Sequence, residues 1–222
     1  MKPQFIPPFR FSFVEKDLFR GAYPVSLNFE FLKTLHLKTI ISLVPNQVDE
    51  ELKNFCQQQN IVNHYYSVPK FASQIIITAT TITEIINIMC KNDNLPLYIH
   101  DLDGEHTTGL VIMCLRKLQM WSGRAMFNEF NMFINNYEPC EEEFVNNYKA
   151  TFELSANRPK WLQHLSGKKT HPTLRVILVD EEESDDDDND DNEDNDENDD
   201  DNGDKEIENA DKHDSNSKDD QN

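Results

Sequence analysis

The chain has 222 residues and a formal net charge of −20, and the excess is segregated. Residues 180–222 carry 24 Asp/Glu against Lys205, Lys212 and Lys218, a net of −21, whereas residues 1–179 balance at +1. That length allows one domain of ordinary size plus a tail, and a tail of this sign excludes direct nucleic-acid binding through it. No apolar run approaches the length of a membrane span, and the opening "MKPQFIPPFRF" lacks the apolar core of a signal peptide. Cys56, Cys90, Cys114 and Cys140 show no C-x-x-C spacing, so buried, reduced thiols are expected. The expected location is the cytoplasm and, second, the nucleus, with no membrane contact.

Taken in chain order, "PPFRFSFVEKDLFRGAYP" alternates apolar and polar residues around a charged turn at Glu15–Asp17, which predicts two short strands closed by Pro24. Ser26 is a candidate N-cap for "LNFEFLKTLHL", a helix with Leu27, Phe31 and Leu35 on one face. "KTIISLVP" reads as a fully buried strand stopped by Pro45. "VDEELKNFCQQQ" reads as a helix burying Leu52, Phe55 and Cys56, and "IVNHYYSVP" as a further strand. "TATTITEIINIMCK" is rich in β-branched residues, yet Ile82, Ile85, Ile86 and Met89 follow helical spacing.

"LPLYIH" is the next strand, and "TTGLVIMCLRKLQMW" is apolar almost all round, as a central buried helix would be. "SGRAMFNEFNMFINNY" and "CEEEFVNNYKATFEL" predict two amphipathic helices, the second starting near Pro139. Phe127, Phe130, Phe133, Tyr137 and Phe144 fall at helical spacings and read as core, and Lys117 and Arg124 as helix-surface cations. Strands alternating with helices make an α/β domain.

The link "HDLDGEHTTG" joins the strand ending at His100 to a helix starting at Thr107 or Thr108. A strand, a tight loop and a helix N-terminus form an anion cradle, because the first helical N–H groups point at the guest. Here Asp101, Asp103 and Glu105 fill the cradle with negative charge.

These residues resemble the phosphate-binding loop of the cysteine-dependent tyrosine and dual-specificity phosphatases. Within them the likeness is to the plant and fungal atypical group, which includes the fungal oxidant-induced cell-cycle arrest proteins and phosphatases acting on inositol pyrophosphates. It runs over roughly residues 8–155, in "PPFRFSFVEKDLFRGAYPVSLNFEFLKTLHLKTIISLVP" and in "CLRKLQMWS" after the loop. The family pattern is His-Cys, five residues, then Arg-Thr-Gly. Its histidine falls on His100, its nucleophile on Asp101, its clasping arginine on Thr107, and its Thr-Gly on Thr108 and Gly109. Leu102, Asp103, Gly104, Glu105 and His106 lie between, with Asp103 and Glu105 where lysines are common in the group.

The resemblance implies a cysteine-phosphatase-like, three-layer α/β domain with a central, mainly parallel sheet at residues 8–160. A linker with a short apolar segment (161–179) and a disordered acidic tail (180–222) follow. The reaction of such phosphatases needs a thiolate and a bidentate arginine, which Asp101 and Thr107 do not supply. Each added carboxylate near a phosphate dianion costs on the order of 3 kcal/mol per unit-charge pair at 5 Å and effective dielectric 20. Between Glu51 and Glu84 there is no acid to protonate a leaving group. The expectation is a pseudophosphatase, not an enzyme, with no catalytic residue, metal or cofactor. It would act as a scaffold or regulatory subunit in protein complexes with related family members. Asp101 would accept the loop N–H groups in place of a substrate, and His100 would hold loop backbone. His106 would be structural or solvated. The alternative is a protein-tyrosine or inositol-pyrophosphate phosphatase, as the family label has it.

A magnesium-dependent phosphatase is a further alternative, because "YIHDLDGE" locally resembles the first motif of haloacid-dehalogenase-type enzymes. Asp101 would then be nucleophile and Asp103 acid/base, although Glu105 stands where Thr or Val is usual. A bare divalent-cation site of Asp101, Asp103 and Glu105 is the weaker version. At the junction with the tail, Val176, Ile177, Leu178 and Val179 run into acids and resemble a SUMO-interacting motif. Ser184, followed by Asp185–Asp188, resembles an acidophilic kinase site. The tail itself suits basic protein partners.

Overall fold

The computed structural model describes residues 5–165 and 169–179, so Ser184 and the acidic segment 180–222 lie outside the described residues. The first strands, β1 (Ser12–Glu15) and β2 (Leu18–Ala22), form the expected hairpin, antiparallel with a register shift between Phe13 and Glu15. A 3₁₀ turn over Ser26–Asn28 leads into a one-turn helix, α1 (Phe29–Lys33). Leu32 is fully buried, with Phe31 and Leu35 half-buried against the same core as expected, but Leu27 is exposed and Asn28 is buried; Val25 rather than Ser26 caps the 3₁₀ turn. The cause is Asn28: its amide donates to the carbonyls of Ile6 and Pro7 at 3.2 Å and accepts from Val25, which turns that residue inward.

Three βα alternations follow: β3 (Thr39–Val44), α2 (Glu50–Gln59), β4 (Val62–Ser67), α3 (Ala79–Met89), β5 (Leu97–Asp101) and α4 (His106–Leu118). The five strands form one sheet in the order β1-β2-β5-β3-β4, parallel except for β1. Strand side chains alternate between two cores, the period of two that a pleated strand imposes. Ile41, Leu43, Leu97 and Ile99 pack against α3 and α4, while Ile40, Val44 and Tyr98 pack against α1 and α2. The result is three layers. Helix α4 is buried on all faces, as its composition requires.

Helix α5 (Gly123–Asn131) ends earlier than its periodicity suggests. The residues after it leave the helical path and place Phe133 over Arg20 and Asn135 on Glu105. Helix α6 (Pro139–Asn147) starts where expected, but "ATFELS" is a strand, β6 (Ala150–Ser155), not the end of a helix. Phe152 and Leu154 alternate inward, and β6 pairs in parallel with β7 (Leu174–Val179). The segment 161–179, read as a linker, therefore contributes Leu162, Leu165, Leu174 and Val176 to the main core.

Lys117 is another departure. It is buried, and its ammonium donates to the carbonyls of Val145, Asn146 and Tyr148 at 2.6–3.2 Å, closing the C-terminal end of α6. Helix ends leave carbonyls without intrahelical partners, and a cation there meets both the hydrogen-bond and the dipole demand. Cys56, Cys90 and Cys114 are buried free thiols, with Cys56 pushed up to about 11 by burial. Among the described residues, no helix is long and apolar enough to cross a membrane.

Candidate functional site

Strand β5 is the central strand, flanked by β2 and β3, and its last residue is Asp101. The loop Leu102–Glu105 then turns into α4 at the carboxyl end of the sheet, where ligands of open α/β sheets sit. Gly104 makes this turn with φ +75°, and a Cβ there would lie 2.8 Å from the backbone of Gly21 and Ala22. Only glycine fits.

The Asp101 carboxylate occupies the cradle. Oδ1 accepts the Gly104 N–H at 2.5 Å, and Oδ2 accepts the N–H groups of Thr107 and Thr108 at 3.0 and 3.1 Å. Burial raises its pKa, and the N–H groups and Arg20 oppose that rise. The loop is self-filled, as the sequence suggested.

His100 stands behind the loop and is fully buried. Asn63 donates to Ser42 Oγ at 2.9 Å, Ser42 Oγ lies 2.8 Å from His100 Nε2, and His100 Nδ1 lies 3.1 Å from the Asp101 carbonyl. With Asn63 donating, the hydroxyl is free to donate to Nε2, which puts the proton of a neutral ring on Nδ1, toward that carbonyl. Burial lowers the His100 pKa to about 4, so the ring is neutral near pH 7 and holds loop backbone.

Sequence reasoning assigned no cation to the loop, but the fold brings three. Arg20, on β2, lies buried beneath it and donates Nη2 to the Gly104 carbonyl at 2.8 Å, with its guanidinium 3.9 Å from the Phe133 ring centroid. Burial lowers its pKa to about 10, and its Nε and Nη1 have no hydrogen-bond partner among the described residues. Arg10 pairs with Glu105 and donates to the Asp103 carbonyl at 3.1 Å. Lys70 lies 3.3 Å from the Asp103 carboxylate. The acidic rim is thus largely paired, and the repulsion expected from three bare anions is reduced accordingly. Arg20 carried one sequence signal, its place in the alternating block "LFRGAYP", but alternation does not say which inward residue is a charge.

His106 is neither solvated nor simply stacked. Its Nδ1 lies 2.8 Å from Oε1 of the buried Glu141, and its ring stacks on Phe71 at 4.2 Å. Burial opposes its charge, but Glu141, Glu105 and Asp103 outweigh that and raise its pKa. A cavity of about 150 Å³ opens above the loop, lined by Lys70, Phe71, Asp101, Asp103, His106 and Thr107 among others. Thr107 stands at its wall without a guanidinium's reach. Among the described residues no group of three or more His, Cys, Asp or Glu is placed to hold a metal ion. Both oxygens of Asp101 face N–H donors, so the cation site of Asp101, Asp103 and Glu105 and the magnesium reading gain no geometric support. Val176, Ile177, Leu178 and Val179 belong to β7, where Val176 is core and Leu178 and Val179 are exposed.

A family model described as the tyrosine phosphatase family matches residues 5–166, the whole loop included. The chain belongs to that family. It is 34% identical over 165 residues to "Probable tyrosine-protein phosphatase DG1060" of Dictyostelium discoideum, covering 71% of this chain and 96% of the relative. It is 31% identical over 130 residues to "Inositol diphosphatase DSP4" of Arabidopsis thaliana, covering 58% of this chain and 66% of that protein. Among solved structures, the core catalytic domain of the PP-IP phosphatase SIW14 from S. cerevisiae is similar at a TM-score of 0.61 and 32% identity. That match covers 66% of this chain and 89% of the solved one. These relatives correct one expectation. Asp101 and Thr107 led to the reading that the chain is not an enzyme, whereas the family is catalytic, its members including inositol diphosphatases and a structurally similar catalytic core.

Proposed function

We propose that the chain is a regulatory or scaffold subunit within the atypical tyrosine and inositol-pyrophosphate phosphatase family, assembling with related members. The observation that supports this is the seating of Asp101. Its carboxylate takes the N–H groups of Gly104, Thr107 and Thr108, the donors that an incoming phosphoryl oxygen would otherwise meet. A loop with a built-in anion holds its shape without substrate, and a fixed shape suits recognition by another protein. Any phosphoryl transfer at this position has a carboxylate as attacking group, and that carboxylate must first leave three hydrogen bonds.

The names of the relatives supply the substrates for the test: phosphotyrosine and a diphosphoinositol. Full-length chain is mixed with purified family relatives and followed by size-exclusion chromatography with light scattering, and the same samples are assayed for phosphate release. The expected result is a stable complex whose partner's turnover changes on association. A chain that stays alone and releases phosphate by itself, with the activity abolished in Asp101→Asn, overturns the proposal and makes Asp101 the nucleophile.

A further inference from the structure

Residues 69–74, between β4 and α3, run along the cavity above the loop as a strap. All of them except the half-buried Phe71 are exposed. Among the described residues, no main-chain group of this strap is hydrogen-bonded to another main-chain group. Side chains hold it instead. Lys70 Nζ lies 3.3 Å from Asp103 Oδ2, Phe71 stacks on His106 at 4.2 Å, and Ser73 Oγ donates to Glu138 Oε1 at 3.1 Å. Ser73 has φ +55°, the left-handed region that a serine seldom adopts. A segment with so few ties opens at low cost.

Two strap residues sit on the loop as a ligand would. Lys70 takes the Asp103 carboxylate, and Phe71 takes the face of His106. The other acids are engaged elsewhere: Glu105 pairs with Arg10, and Asp101 accepts the loop N–H groups. The fit is loose. The side chains of Lys70 and Asp103 are 66% and 30% exposed, and an ion pair so open to water contributes little. Phe71 lines both the cavity of about 150 Å³ and a second, smaller hollow shared with Ile75, Ile77 and Leu110. Space left beside a ring forfeits dispersion contact that a better-fitting group would recover.

We propose that Lys70 and Phe71 are a built-in occupant of a peptide-binding site, and that the site takes in exchange a partner segment in which a basic residue precedes an aromatic one. Charge and ring select this chemistry: an acidic segment would be repelled by Asp103, and an aliphatic one would lose the stacking on His106. This rests on the reading of the chain as a subunit that binds a partner.

The probe is a peptide copying residues 67–74, "SVPKFASQ", titrated into full-length chain and followed by NMR at the His106 ring. In Lys70→Ala with Phe71→Ala the strap no longer competes, and binding is expected at about 1 mM, the scale set by a short tethered segment. The parent chain is expected to bind about tenfold more weakly, because its strap holds the place at an effective concentration of about 10 mM. Adding Asp103→Asn to the double variant is expected to weaken binding, and a peptide with alanine at both positions is expected not to bind. Thermal unfolding shows that each variant keeps the fold. No shift of the His106 ring up to about 10 mM peptide, equal affinity of parent and double variant, or equal binding of the alanine peptide overturns the proposal. A chain that still assembles with its relatives while ignoring the peptide overturns this site and leaves the subunit reading standing.

Discussion

Asp101 Oδ2 accepts the N–H of Thr107 at 3.0 Å across six residues, so the end of the central strand and the first turn of α4 are joined by one carboxylate. Asp101→Asn turns one of the two acceptor oxygens into a donor facing N–H groups. The expected loss is about 2 kcal/mol, a fall in Tm of about 4–8 °C. Asp101→Gly empties the cradle instead, and inorganic phosphate then raises the Tm of that variant while leaving the parent chain unchanged. Thermal scans with and without phosphate check both.

Arg20 is the buried counter-charge beneath that carboxylate. Arg20→Met leaves the Gly104 carbonyl without its donor and Asp101 without its nearest buried cation, a loss of about 3 kcal/mol by urea unfolding. Arg20→Lys recovers only part of this, because an ammonium lacks the planar face that lies on Phe133. In the methionine variant the Asp101 pKa moves further up, readable from its carboxyl carbon by NMR.

The two histidines of the loop give stability opposite dependences on pH. His100 is held near pKa 4 against an ordinary value of 6.5, so the folded state binds fewer protons than the unfolded one between those values. Stability is expected to fall by about 3 kcal/mol from this group as pH drops from 6.5 to 4. His106 has a raised pKa, so its contribution is complete below 6.5 and is lost as pH rises through its folded value. Urea unfolding across pH 4–8 is expected to show an optimum near the middle of that range. His100→Gln flattens the acid limb and His106→Gln the other.

Lys117→Met removes the donor that closes α6 and leaves three carbonyls competing for water in a buried place. A loss of about 3 kcal/mol is expected, with amide exchange rising first around Val145–Tyr148.

The layers and the loop were legible because periodicity reports burial directly: Ile82, Ile85, Ile86 and Met89 repeat at helical spacing, and β3 is a mostly apolar run that is buried throughout. Asp101 was legible as a filler because a carboxylate at a helix start has few other partners. Arg10, Arg20, Lys70 and Glu141 were not. They come from 31 to 91 residues away from Asp101, and pairing at such separations depends on topology rather than on any local pattern. Lys117 was misjudged for the same reason: a lysine on a helix looks solvated until the end of another helix is placed over it. The strand in "ATFELS" was taken for helix because its partner lies 24 residues on, in a segment with no periodicity of its own.

The pairing of β6 with β7 fixes where the chain can be cut. A version stopped at residue 160 would strip the neighbour from β6 and remove Leu162, Leu165, Leu174 and Val176 from the interior. Such a fragment would expose a sticky apolar trench and precipitate, whereas one ending after Val179 would keep β6 paired and those four side chains in the interior.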